Sequence, residues 1–140
     1  MLVREIMSTD VSFVDVSVKV PEIAKIMKQN DIGAVPVLQN GNLVGIITDR
    51  DIVVRVLADN KDVNTTTAEQ IMTVDPVSIE DNSDVDRATE LMGEYQIKRL
   101  PVMRNGKLVG MLSLGDIAIE NIHIDEAGEA LSGISQGIRH

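Results

Sequence analysis

Two stretches of this chain place a hydroxyl three residues before a carboxylate, each following a glycine and two apolar residues: Gly45-Ile46-Ile47-Thr48-Asp49-Arg50-Asp51 and Gly110-Met111-Leu112-Ser113-Leu114-Gly115-Asp116. An apolar run that ends in Ser/Thr-x-x-Asp reads as a strand turning into a helix, and two kinds of chemistry are open to such a corner. In the first, the hydroxyl and the carboxylate satisfy free N–H groups of the first helical turn, a cap worth about 0.5–2 kcal/mol. In the second, the same helix start offers N–H donors and a partial positive charge to a phosphate, while the aspartate accepts two hydrogen bonds from a ribose diol. The glycine ahead of each corner is expected to let a ligand approach the backbone closely. Asp49 and Asp51 could add a hard cation alongside nucleotide phosphates, but nothing forms a dedicated metal cage. Catalysis has little support: the histidines, His123 and His140, lie outside these stretches, and there is no cysteine to act as nucleophile or soft metal ligand.

The two corners belong to a longer repetition. Ile6-Met7, Pro36-Val37, Asn40-Gly41, Leu43-Val44-Gly45 and Asp51-Ile52 recur as Ile71-Met72, Pro101-Val102, Asn105-Gly106, Leu108-Val109-Gly110 and Asp116-Ile117, all at one offset of 65 residues. A fixed period marks each copy as a supersecondary unit that cannot bury its apolar face alone, so the copies are expected to pack together and create a cleft at their junction.

Within each copy the element order reads βαββα. The first copy opens with a helical turn over Val3 to Met7 and an extended stretch from Val11 to Val14. A helix follows, with Val20, Ile23, Ala24 and Met27 on one face and Pro21 in its first turn. The second copy repeats the pattern with Val85, Ala88, Thr89 and Met92, and offers Ser83 or Asp84 as N-cap. Asn-Gly between β-rich runs predicts a hairpin in each copy, and a second helix should start at each Ser/Thr-x-x-Asp corner. The boundaries read 1–58 for the first repeat, 59–67 for a polar linker, 68–122 for the second repeat and 123–140 for a tail or helix end loosened by Gly128, Gly133 and Gly137.

The chain has 140 residues, the length of one ordinary domain, with 44% apolar and 25% charged residues. No apolar run approaches the roughly 20 residues needed to cross a bilayer. With no visible secretory signal and no cysteine, a cytoplasmic location is expected. A net charge of −9 opposes nonspecific attraction to nucleic acid or anionic membranes, so any phosphate site must be locally basic. Phe13 and Tyr95 are the only aromatic residues, too few for a base-stacking platform. Met7 with Met72, and Met27 with Met92, occupy equivalent places and read as core packing.

The doubled order of Ile-Met, Pro-Val strand, Asn-Gly hairpin and Gly-h-h-Thr/Ser-x-x-Asp, where h is apolar, resembles a tandem pair of CBS domains, also called a Bateman module, over roughly Met1 to Ile122. The resemblance implies an α/β (α+β) module of two βαββα repeats about a pseudo-twofold axis. It also implies a non-enzymatic sensor that binds AMP, ADP, ATP or S-adenosylmethionine between the repeats and reports to a protein effector. No metal or required cofactor is implied, and modules of this kind usually form homodimers through exposed apolar helix faces.

Carried over residue by residue, the resemblance assigns ribose or phosphate contacts to Thr48 and Asp51 in one site and to Ser113 and Asp116 in the other. Asp10, Val11 and Ser12 would form one adenine slot, and Asp75, Pro76 and Val77 the other. Family sites borrow residues ahead of the Pro-Val strand of the opposite repeat, which are Lys98-Arg99 for the first site and Gly33-Ala34 for the second. The first site, with Lys98, Arg99 and Arg50, is therefore the preferred phosphate site. The second, with Gly115 in place of Arg50, is expected to be empty, weak or selective for a less charged ligand. Two rival readings stay open: an interaction scaffold with empty clefts, and a small enzyme acting on a nucleotide.

Overall fold

The computed structural model describes residues 1–121. The readings placed on His123, His140 and the glycine-containing stretch 123–140 lie outside the described residues. The described residues divide into two compact units, one of residues 12–76 and the other of residues 1–11 together with 77–121.

In the unit of residues 12–76, the elements are β1 (Val14–Asp15), α1 (Val20–Asn30), β2 (Ala34–Gln39), β3 (Asn42–Thr48), α2 (Asp49–Ile52) continued by a π-helical stretch (Val53–Leu57), α3 (Ala68–Ile71) and β4 (Thr73–Val74). The strands lie side by side in chain order. β1 runs parallel to β2, while β3 is antiparallel to both β2 and β4. The hairpin forms at Asn40-Gly41 as its composition demands, with φ of 51° and 81°, values a β-branched residue could not adopt without strain. Val20, Ile23 and Met27 of α1 enter a core with Val35, Val37, Ile47 and Ile71. Ala24, expected on the same face, is exposed, and Ile26 packs against the core instead.

Residues 59–67 are not a loose linker. Thr66 is buried, its hydroxyl donates to the Asp62 carbonyl at 2.8 Å, and its own carbonyl accepts the Val20 N–H at 3.1 Å. Thr67 then caps α3, where the Gln70 side chain accepts the Thr67 N–H at 2.9 Å, a Thr-x-x-Gln capping pattern present in the sequence.

The other unit contains a 3₁₀ turn (Val3–Glu5), β5 (Ile79–Glu80), α4 (Val85–Tyr95), β6 (Arg99–Arg104), β7 (Lys107–Ser113) and α5 (Leu114–Asn121). Asp84 is the N-cap of α4, accepting the Asp86 N–H at 2.8 Å. Val85, Ala88, Leu91 and Met92 are buried, whereas Thr89 is exposed and donates its hydroxyl to the Val85 carbonyl. The two helices thus depart from the expected face at the same place: the position four residues after the first core residue turns outward, and the one six after turns in. An N-terminal residue, Val3, is fully buried in this core.

The units are offset from the sequence repeats in the same way at both ends. The segment that opens the second repeat supplies β4 to the unit of residues 12–76, through the pair Thr73 and Ile46. The segment that opens the first repeat supplies the equivalent bridge, Ser8 with Met111, to the other unit. Each apolar opening segment is buried by strands of the other repeat, which answers the question of what covers a face that one copy cannot bury by itself.

Candidate ligand-binding corners

Capping geometry is realised at both corners. Asp51 accepts the Thr48 N–H at 2.8 Å and Thr48 Oγ1 accepts the Asp51 N–H at 3.2 Å. Ser113 and Asp116 repeat this exchange at 3.0 Å in both directions. The hydroxyl and one carboxylate oxygen are thereby fixed at the end of β3 or β7, and both residues of each pair are half-buried. A carboxylate has about four acceptor positions, so one N–H bond leaves capacity for further donors such as sugar hydroxyls.

The glycine ahead of each corner serves a different purpose from the one expected. A Cβ on Gly110 would lie 2.6 Å from the Met7 sulfur and 2.8 Å from the Ser8 carbonyl oxygen, and one on Gly45 would meet Met72 Cγ at 2.8 Å. The close approach is made by the methionine of the opening segment, not by a ligand. Met7 and Met72 are therefore packing residues, seated on glycines that only a missing side chain leaves open.

The corners differ in their surroundings. The second oxygen of Asp51 lies 3.6 Å from Arg55 Nε, and Arg55 Nη1 donates to the Ile71 carbonyl at 3.2 Å. The residue 65 positions on from Arg55 is Glu120, which is exposed and carries the opposite charge. Asp51 thus has a cation one turn along its helix where Asp116 has an anion. The signal for this contrast, opposite charges at i and i+4 in one copy and like charges in the other, is present in the sequence, although the Ser/Thr-x-x-Asp spacing does not point to it.

Arg50 is exposed, and its N–H donates to Asp49 Oδ1 at 2.8 Å, so the Asp49 carboxylate is turned back on the first turn of α2. Gly33 and Ala34 are brought next to the first corner, with the Gly33 carbonyl accepting the Asp49 N–H at 2.9 Å and Ala34 paired with Thr48. Lys98 and Arg99 stand in the same relation to the second corner: the Lys98 carbonyl accepts the Leu114 N–H at 2.8 Å, and Arg99 pairs with Ser113. Lys98 is exposed and Arg99 half-buried. The unit boundaries fall within the proposed adenine slots, between Val11 and Ser12 and between Pro76 and Val77. Asp10 is exposed, Val11, Ser12 and Pro76 are half-buried, and Val77 packs on the core of its unit. Asp75 adopts φ of 47° and its N–H lies 3.3 Å from the Val44 carbonyl oxygen, which turns the chain immediately before Pro76.

The family model for the CBS domain matches residues 3–58 and again residues 68–122. The CBS domain-containing protein YhcV of Bacillus subtilis is 39% identical over 133 residues, 95% of this chain and 94% of that protein. Among solved structures, a putative signal-transduction protein with CBS domains from Burkholderia ambifaria superposes with a TM-score of 0.81 at 27% identity, covering 90% of this chain and 99% of that one. The CBS domain pair of protein MJ0100, solved with 5-methylthioadenosine and S-adenosylmethionine, superposes with a TM-score of 0.77 at 32% identity, covering 84% of this chain and 93% of that one.

Proposed function

Because the chain belongs to the CBS-domain family and carries two copies of the domain in tandem, we propose that it is a non-enzymatic sensor of adenosine-containing ligands. The observation that carries this reading is the duplicated corner: Thr48 with Asp51 and Ser113 with Asp116 each hold a carboxylate rigidly by one oxygen while leaving acceptor capacity for a ribose diol. The ligand pair in the MJ0100 structure, at 32% identity, supports an adenosine ligand as the class. In this proposal Thr48, Arg50 and Asp51 form the first site, where Arg50 meets phosphate, and Ser113 and Asp116 form the second, where Gly115 in place of Arg50 brings no charge, so a less anionic ligand such as S-adenosylmethionine suits the second better. Ligand occupancy shifts the population of conformations that a protein effector reads.

A thermal-shift panel of AMP, ADP, ATP, 5-methylthioadenosine and S-adenosylmethionine tests the reading. A ligand at 100 times its Kd adds about 2.7 kcal/mol, a rise on the order of 5–11 °C for a chain of this size. Asp51→Ala should abolish the nucleotide shift and Asp116→Ala should leave it. Since both aspartates already serve as helix caps, a panel without any shift selects the scaffold reading, in which the corners are structural only. Product formed from a bound nucleotide, detected by chromatography after prolonged incubation, would select the enzyme reading.

A further inference from the structure

Arg55 lies outside the proposed sites, yet its guanidinium joins two segments of the unit of residues 12–76. Nε lies 3.6 Å from Asp51 Oδ1, and Nη1 donates to the Ile71 carbonyl at 3.2 Å and reaches the Met72 carbonyl oxygen at 3.5 Å. The other oxygen of Asp51 holds the Thr48 N–H, so one carboxylate connects the corner on one side to the guanidinium on the other. The segment that Arg55 grips is itself a distinct element. Met72 sits on Gly45, Thr73–Val74 pairs with β3, the Asp75 N–H meets the Val44 carbonyl, and the unit ends at Pro76. In the second copy Glu120 stands in place of Arg55, and a carboxylate can neither donate to a carbonyl nor attract Asp116.

We propose that Arg55 is a positioning residue that couples the charge and hydrogen bonding of Asp51 to the order of residues 71–76, and that this coupling exists at only one of the two corners. The coupling is a property of the protein alone, whereas its trigger rests on the ligand reading given above. Sugar hydroxyls donating to Asp51 take up acceptor positions and disperse the carboxylate charge, so Arg55 is held less firmly and its grip on the Ile71 and Met72 carbonyls loosens. The residues that leave the unit toward the second repeat then become easier to open.

Amide hydrogen exchange on the full chain tests both parts. Without ligand, Arg55→Gln should speed exchange at the Met72 and Asp75 amides roughly tenfold and Asp51→Asn roughly threefold, and the double variant should be no faster than Arg55→Gln. Arg55→Lys should restore part of the protection. Thr48→Ala, which weakens the cap without touching Arg55, should leave both amides near the wild-type rate. Additive effects, an Asp51→Asn variant that exchanges like the wild type, or a Thr48→Ala variant that matches Asp51→Asn would overturn the coupling. With AMP, the same two amides should exchange faster in the wild type and not in Arg55→Gln. AMP that binds and leaves both amides unchanged overturns the trigger, while AMP that produces no thermal shift counts against the ligand reading and leaves the coupling to be decided by the ligand-free comparison.

Discussion

At the scale of single residues, Thr48, Asp51, Ser113 and Asp116 behave as their spacing demands, since a hydroxyl and a carboxylate three residues apart at a helix start can exchange hydrogen bonds with each other's backbone. What they leave unspent is the second carboxylate oxygen, and there the two copies part company at Arg55 and Glu120. Gly45 and Gly110 are residues whose reason lies outside their own strand. Gly45→Ala is expected to destabilise the fold by about 1–3 kcal/mol, because its Cβ would enter the Met72 side chain. Urea denaturation of Gly45→Ala, Met72→Ala and the double variant should show the two losses to be strongly non-additive. Asp84 offers a pH test. The Asp86 N–H that it accepts holds its carboxyl below the usual carboxylate range. A lowered folded-state pKa means that this cap contributes fully above the ordinary carboxylate range and fades as the pH falls through the lowered value. The stability difference between wild type and Asp84→Ala, measured by denaturation at a series of pH values, should therefore be largest near neutrality and shrink in acid.

At the scale of elements, helices, hairpins and their order were legible because each is specified by residues close together in sequence: Pro21 at a helix start, Asn40-Gly41 and Asn105-Gly106 at the turns, Asp84 at a cap. The inward face of α1 and α4 lies one step from the face that periodicity alone predicts, because Ala24 and Thr89 satisfy helical periodicity as well as Ile26 and Leu91 do, and only the position of the sheet chooses between them. The opening segments were harder still. Nothing local to Val3, Ile6 and Met7 says that strands more than 90 residues away will cover them, as the bridge between Ser8 and Met111 requires. Val3→Ala should accordingly cost about 1.5–3 kcal/mol. In native-state hydrogen exchange its loss of protection should appear in residues 77–121 and spare residues 12–58; the opposite pattern would assign the segment to its own repeat.

For the whole molecule, the family membership and the duplicated corners support a regulatory module, and no helix among the described residues is long and apolar enough to cross a membrane. Val53, Val54 and Leu57 expose an apolar stripe after α2, with Leu57 59% exposed, and we propose this face as a homodimer contact. Light scattering on the eluting protein should report a dimer, and Leu57→Glu should shift it toward monomer; a wild-type monomer at all concentrations would remove the proposal. The sequence by itself determined the duplication, the element order and the two capped corners, because period, turn chemistry and capping all act over a few residues. Tertiary structure decided what the sequence left open: which strands bury each opening segment, that methionines and not ligands fill the space above Gly45 and Gly110, and that Arg55 ties Asp51 to residues 71 and 72. Apart from the Asp51–Arg55 pair, four residues apart on one helix, these are contacts between residues 16 to more than 100 positions apart, and no local propensity encodes which of many apolar or charged partners a folded chain will bring within reach.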